Sequence, residues 1–297
     1  MRIYVKLCLT AVFWGGAFVA GKHVSGHMDP FTIAFLRFAI ASVLLLALIW
    51  KKERGLPRLD RVHILAIILL GATGIFAYNA MFFKGLSLIE ASRASLLIAT
   101  CPAFIAMASG VLFREKLGMV RIAGIFLSIL GAALVISRGD LSRVLAGGVG
   151  LGELLILGCV LNWVAYSLIG KVVMRTLSPL ATVFYSVVAG TIALSVSAYF
   201  EGFSANLSRA SAVDWLAIIY MAVFATVIGF VWFYEGVKHL GATRAGLFIN
   251  FVPVFAVLLA FLILDEPLTA SLAVGAMCVL SGVYLTNKTP PSASRTL

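Results

Sequence analysis

Arg37 is the one charged residue between Asp29 and Lys51, a stretch that is otherwise almost entirely apolar. A guanidinium in such surroundings offers paired donors that match a carboxylate. The plainer reading is a structural arginine, snorkelling or bonded to the end carbonyls of a neighbouring helix. Asn162 and Asn250 also stand in the middle of apolar runs, where an amide must find a partner because its surroundings offer none. Either can hold a small polar molecule or fasten two helices together, and Asn79 is a further, weaker candidate of the same kind. Trp14 and Trp163 stand in two similar runs, with Tyr166 one turn beyond Trp163 on the same helical face. These three rings could wall a cavity that the polar groups line, or simply fill a core.

The elements that must position these residues are long apolar helices. Of 297 residues, 62% are hydrophobic and 12% charged, whereas soluble domains carry roughly a quarter charged residues. Water is absent from hydrocarbon, so a spanning segment must satisfy its own backbone as a helix of about 20 apolar residues. The sequence predicts ten spans, at roughly 3–21, 31–50, 63–83, 92–113, 119–137, 151–170, 180–199, 215–236, 241–264 and 270–286. The first lacks the small residue three positions before a cleavage site that a signal peptide needs, and is read as a retained helix. Trp50, Trp215, Trp232 and Tyr234 lie near span ends, where an interfacial belt is expected.

The fold class is thus an all-α integral membrane protein. Counted loop by loop, sixteen Lys and Arg residues fall on the side of the N-terminus and six on the other, which places both termini in the cytoplasm. Cys8, Cys101, Cys159 and Cys278 all fall within spans and lack metal-site spacing, so neither a disulfide framework nor a zinc site is indicated and no cofactor is expected.

The chain also repeats itself. Trp14, Gly21-Lys22 and Pro30 recur as Trp163, Gly170-Lys171 and Pro179 at an offset of 149, and Phe82, Gly85, Ala91, Arg93, Pro102, Glu115, Gly124 and Gly131 recur at 151 as Phe233, Gly236, Ala242, Arg244, Pro253, Glu266, Gly275 and Gly282. Hydrophobicity alone cannot keep rare residue types in register. Five spans per unit is an odd number, so the second unit enters the membrane from the opposite side. Two inverted five-helix repeats supply two similar packings whose exchange gives alternating access to a central site. The predicted units are 1–139 and 150–288, followed by a short cytoplasmic tail, 289–297.

Trp14-Gly15, Leu36-Arg37-Phe38, Ala91-Ser92-Arg93-Ala94 with Pro102 and Glu115, and Gly241-Ala242-Thr243-Arg244-Ala245 with Pro253 and Glu266 resemble the drug/metabolite transporter superfamily, in its ten-helix EamA branch. The resemblance covers nearly the whole chain. It implies a five-plus-five inverted repeat in an inner membrane and export of small metabolites, amino acids among them. A lipid or lipid-linked carrier, or an exporter of cationic drugs, would use the same fold. Partners are then the small-molecule substrate and the bilayer, with no nucleic acid.

The acids and histidines all lie in loops or near span ends. A buried carboxylate that exchanges substrate for protons is therefore not in evidence. Glu153, in the first turn of the sixth span, is the best remaining proton carrier, although a helix N-terminus favours a carboxylate anyway. No His-Glu-x-x-His run or span-centred Asp pair points to an intramembrane enzyme. Gly124 with Gly131 and Gly275 with Gly282 permit close helix contact, suiting peripheral packing or a homodimer through helices 5 and 10. Glu115 and Glu266, beside short turns, read as structural. Pro102 and Pro253 interrupt helices 4 and 9 at matching depths.

Overall fold

Pro30 and Pro179 each open a helix, where a missing N–H is harmless because the first amides of a helix have no intrahelical acceptor. The structure is a computed structural model. It describes residues 2–53, 55–112, 118–140, 149–240, 248 and 250–287. In order the helices are α1 (Arg2–Val24), α2 (Pro30–Glu53), α3 (Arg61–Leu70), α4 (Tyr78–Leu88), α5 (Ala91–Ile98), α6 (Cys101–Leu112), α7 (Met119–Ile136), α8 (Leu151–Val173), α9 (Pro179–Phe200), α10 (Phe203–Arg209), α11 (Ala212–Tyr220), α12 (Gly229–Leu240), α13 (Val252–Leu264) and α14 (Ala270–Asn287). No strand occurs among the described residues.

Eight stretches are long and apolar enough to cross a membrane, and Val252–Leu264 and Ala270–Thr286 are shorter apolar helices. Large apolar side chains such as Val43, Phe126, Leu161 and Ile192 are exposed in mid-helix, a surface suited to hydrocarbon rather than water.

Three expectations need correction. The third span runs from Arg61 to Leu88, past the expected end at 83, so Asn79 lies farther from its end than the sequence suggested. The fourth span is broken at Ala99-Thr100, and Asn250-Phe251 form a turn before α13. Pro102 and Pro253 stand at the second position of the helices after these breaks, and Pro lacks the N–H that would carry a helix straight through. Asn250 therefore occupies a turn rather than a helix interior. Third, Trp232 is half-buried, with its ring 5.8 Å from that of Phe13 and Lys6 above its face. It belongs to the bundle end instead of a lipid belt. Trp50, by contrast, is exposed. Tyr234's side chain, Glu115 and the run 241–247 lie outside the described residues.

Two π-helical segments were not foreseen. Gly71–Ala77 joins α3 to α4, and Met221–Ile228 joins α11 to α12. Their positions correspond at the 151-residue offset. Such wide turns are uncommon and cluster at functional sites, because each leaves backbone carbonyls without their usual partner.

α1 packs on α12 and α13, α4 on α8, α2 on α9, and α7 on α14. The α7–α14 seam explains the glycines: a Cβ on Gly124 would stand 2.6 Å from the Gly282 carbonyl oxygen, and one on Gly131 would stand 2.8 Å from that of Gly275. These small-residue faces are filled by one another within a single chain, so any dimer through these helices would use their other faces.

Polar contacts gather at the two ends of the bundle. At the end holding the N-terminus, Lys6 and Lys52 both reach Glu235, at 2.6 and 3.5 Å, and the Tyr185 hydroxyl donates to the Pro57 carbonyl. At the other end Lys22 donates to the carbonyls of Leu86, in the last turn of α4, and of Ile89 just past it, and Arg93 faces Glu90 at 3.1 Å and Glu153 at 3.6 Å. Glu266 accepts the backbone amides of Ala91 and Ser92 at 2.7 and 2.9 Å and caps α5. The structural reading of Glu266 follows directly from that contact.

Candidate functional site

Thr226 carries the simplest clue to the centre. It sits in the second π segment, fully buried, and its hydroxyl donates to the Met221 carbonyl 2.9 Å away. The oxygen keeps a lone pair, which accepts from Arg37 Nε at 3.2 Å. On the other side Arg37 Nη1 donates to Asn79 Oδ1 at 3.4 Å, while the Asn79 amide nitrogen donates back to the Ile75 carbonyl at 2.9 Å. Both acceptors of the guanidinium are thus fixed through backbone carbonyls of the two π segments.

Arg37 is only half-buried, and its guanidinium carbon lies 4.9 Å from the Phe38 ring centre. A guanidinium has five N–H donors in a planar fork, of which these contacts use two. Among the described residues no carboxylate comes within ion-pair distance of it. The cation is held in place without being neutralised. Arg37 thus bonds side chains of two other segments, a partnering outside the readings drawn from sequence, and three of its donors take no part in these contacts.

The aromatic residues form two walls. On one, Trp163 lies 5.5 Å from Tyr78 and 5.3 Å from Tyr166, and Tyr78 stacks on Phe82. The Tyr166 ring presses so closely on the first π segment that a Cβ at Gly74 would come 2.2 Å from it, and its hydroxyl is 3.4 Å from Ser186 Oγ. On the other wall the Trp14 indole N–H donates to the Ala225 carbonyl at 2.8 Å, and its ring meets Phe230 and Phe233. Ala225 and Gly74 correspond at the repeat offset, so each wall leans on the same point of its own π segment. A narrow crevice lined by Leu7, Thr10, Ala11, Trp14, Phe233 and Phe248 runs along α1.

Sequence candidates thus separate. Arg37 and Asn79 are in direct contact, and Trp163 with Tyr166 and Trp14 flank the π segments. Asn162 turns to its own helix, donating to the Gly158 carbonyl at 3.0 Å and toward Met81 Sδ at 3.7 Å; it fastens α8 to α4. Asn250 stays half-buried in its turn before α13. Thr226 and Tyr78 were missed: Thr226 corresponds to the apolar Ile75, and one hydroxyl in an apolar span carries no pattern. Glu153, the remaining candidate proton carrier, faces Arg93 beside a cavity of about 380 Å³ between the ends of α4, α7 and α8.

Comparison with known proteins agrees with this architecture. The family model described as the EamA-like transporter family matches residues 1–137 and 150–288. An uncharacterized transporter of Bacillus subtilis strain 168, YyaM, is 29% identical over 95% of this chain and 92% of its own length. A second from that organism, YetK, is 30% identical over 96% of this chain and 87% of its own. A solved crystal structure shares the fold with a TM-score of 0.65 over 96% of both chains, at 19% identity.

Proposed function

Because the chain belongs to the EamA-like transporter family, a family of multi-pass membrane transporters, we propose that it exports small amphiphilic metabolites, amino acids or their relatives, by alternating access. In this reading ten spans form two inverted five-helix units in an inner membrane, with both termini in the cytoplasm. The matching π segments and helix breaks support the repeat, and the excess of Lys and Arg on the side of the N-terminus supports the topology.

The observation that carries the substrate class is Arg37. An arginine pinned by Thr226 and Asn79, with donors to spare and no carboxylate among the described residues at ion-pair distance, is a receptor for an anionic group. Trp163, Tyr78 and Tyr166 offer apolar faces to the rest of the molecule, and Trp14 closes the opposite side. Asn162, next to Trp163, fastens α8 to α4, and Asn250 lies in the turn before α13.

The test is uptake of radiolabelled amino acids into proteoliposomes, with and without an imposed pH gradient. Saturable uptake that is lost in Arg37→Ala is the expected result. Uptake of lipid or of cationic compounds unaffected by Arg37→Ala would replace the substrate class. Accumulation that requires the pH gradient would turn attention to Glu153 as proton carrier.

A further inference from the structure

His23, His27 and Asp214 come from distant parts of the sequence and meet at the bundle end opposite the N-terminus. His23 lies in the last turn of α1, His27 in the turn that follows, and Asp214 at the third position of α11. His27 Nδ1 is 3.0 Å from Asp214 Oδ1, and His23 Nε2 is 3.5 Å from the same oxygen. The three ligand atoms lie within 4.8 Å of one another.

The second carboxylate oxygen is already committed. Asp214 Oδ2 accepts the Ser211 amide at 2.9 Å and the Ser211 hydroxyl at 2.7 Å, completing a capping box that orients the side chain. Oδ1 is left pointing at both imidazoles. Asp214 is 1% exposed, and His23 Nε2 is buried with no hydrogen-bond partner. A buried nitrogen without a partner is costly unless something else occupies its lone pair.

Ligand atoms about 2.0 Å from a tetrahedral ion are separated from each other by about 3.3 Å. The two histidine–aspartate separations, 3.0 and 3.5 Å, fall on either side of that figure, and the two imidazole nitrogens lie within 4.8 Å of each other. Two imidazoles and one carboxylate are a known donor set for zinc, with the fourth position left to water. Neutral His27 can carry its proton on Nε2, the solvent side of an exposed ring, which leaves Nδ1 free to ligate. From this geometry we infer that His23, His27 and Asp214 form a binding site for a divalent transition metal, zinc by preference, that ties the α1–α2 turn to the start of α11.

The probe is ZnCl2 titrated calorimetrically into chelator-stripped full-length protein in detergent, followed by CoCl2 with visible spectroscopy. Wild type binds about one Zn2+ per chain at this site, the ion raises the Tm, and cobalt gives the intense d–d bands of a tetrahedral complex. His27→Ala weakens the binding about tenfold or more, whereas His63→Ala, at the opposite end, leaves it unchanged. In a protein whose four native cysteines are replaced, His27→Cys keeps binding and adds a thiolate-to-cobalt charge-transfer band that no other residue can supply. Zinc binding that His27→Ala does not alter, or a His27→Cys protein that elutes as wild type yet shows no charge-transfer band, would leave a plain histidine–aspartate contact and overturn the site.

Discussion

Ser42 and Thr191 stand 149 residues apart in sequence and 3.3 Å apart in space, sharing a hydrogen bond between the hydroxyls of α2 and α9. That separation is the repeat offset of this part of the chain, so each touches its own counterpart. Ser128 Oγ and the Val279 carbonyl do the same at 151 residues, 3.3 Å apart, across α7 and α14. In the proposed two-unit arrangement, residues that contact their own counterparts lie on the axis relating the units. In a protein whose four native cysteines are replaced, Ser42→Cys with Thr191→Cys should therefore cross-link within one chain. A faster-migrating band in non-reducing gels checks it, and cross-linking only between chains would argue against the arrangement.

Arg37→Lys separates charge from geometry. Lysine keeps the positive charge but not the planar fork that holds Thr226 and Asn79 together. Hydrogen bonds to charged groups are worth about 1.5–3 kcal/mol, so KM should rise about tenfold or more in Arg37→Lys, and Arg37→Ala should lose transport. Concentration series in proteoliposomes at equal protein incorporation measure this.

Gly74 and Tyr166 should behave as one unit. A methyl group at Gly74 collides with the Tyr166 ring, so Gly74→Ala should reduce transport and thermal stability through overpacking, at about 1–3 kcal/mol. Adding Tyr166→Ala removes the collision, and the double variant should be less impaired than the sum of the singles. Additive losses would show that the contact does not govern the site.

The α7–α14 seam is equally exacting. A Cβ on Gly282 would lie 2.5 Å from the Ser128 backbone nitrogen, and backbone cannot step aside as a flexible side chain can. Gly282→Ala should lower the Tm by several degrees, as about 1–3 kcal/mol of overpacking implies, and Gly118→Ala, which meets no neighbour, serves as the control.

Glu201, just past the end of α9, accepts the Thr32 amide at 2.9 Å. Partial burial raises its carboxyl above the ordinary range, against the lowering effect of the Thr32 and Phe31 amides. A raised folded-state value means the folded protein holds the proton more tightly than the unfolded chain. This contribution is therefore fully present below the ordinary glutamate range and lost as pH rises through the raised value. Glu201→Gln should stabilise the protein at neutral pH and lose that advantage in acid, as melting curves across pH will show.

Much of this was legible in the sequence because membrane spans and repeats leave long, redundant traces. The apolar runs, the doubled Trp14/Trp163 and Pro30/Pro179, and the isolated Arg37 needed no coordinates. What stayed hidden depends on local geometry or distant pairing. Nothing in the composition of Gly71–Ala77 announces a π segment, since one wide turn alters hydrogen bonds rather than hydrophobic periodicity. Asn79 looked peripheral because a span of ordinary length would have ended sooner. His23 and His27 were visible as neighbours, but Asp214 is 187 residues from His27, and no spacing rule connects them.

The π segments have one more consequence. An α-helix turns about 100° per residue, so an extra residue absorbed in a wide turn rotates everything beyond it by that amount relative to an unbroken helix. Each segment is a phase shifter. Winding Gly71–Ala77 at ordinary pitch with every residue kept would swing Asn79 and Tyr78 away from Arg37 and Trp163. The span would survive and the candidate site would not, leaving a well-folded membrane protein whose Arg37 and Trp163 face the wrong neighbours.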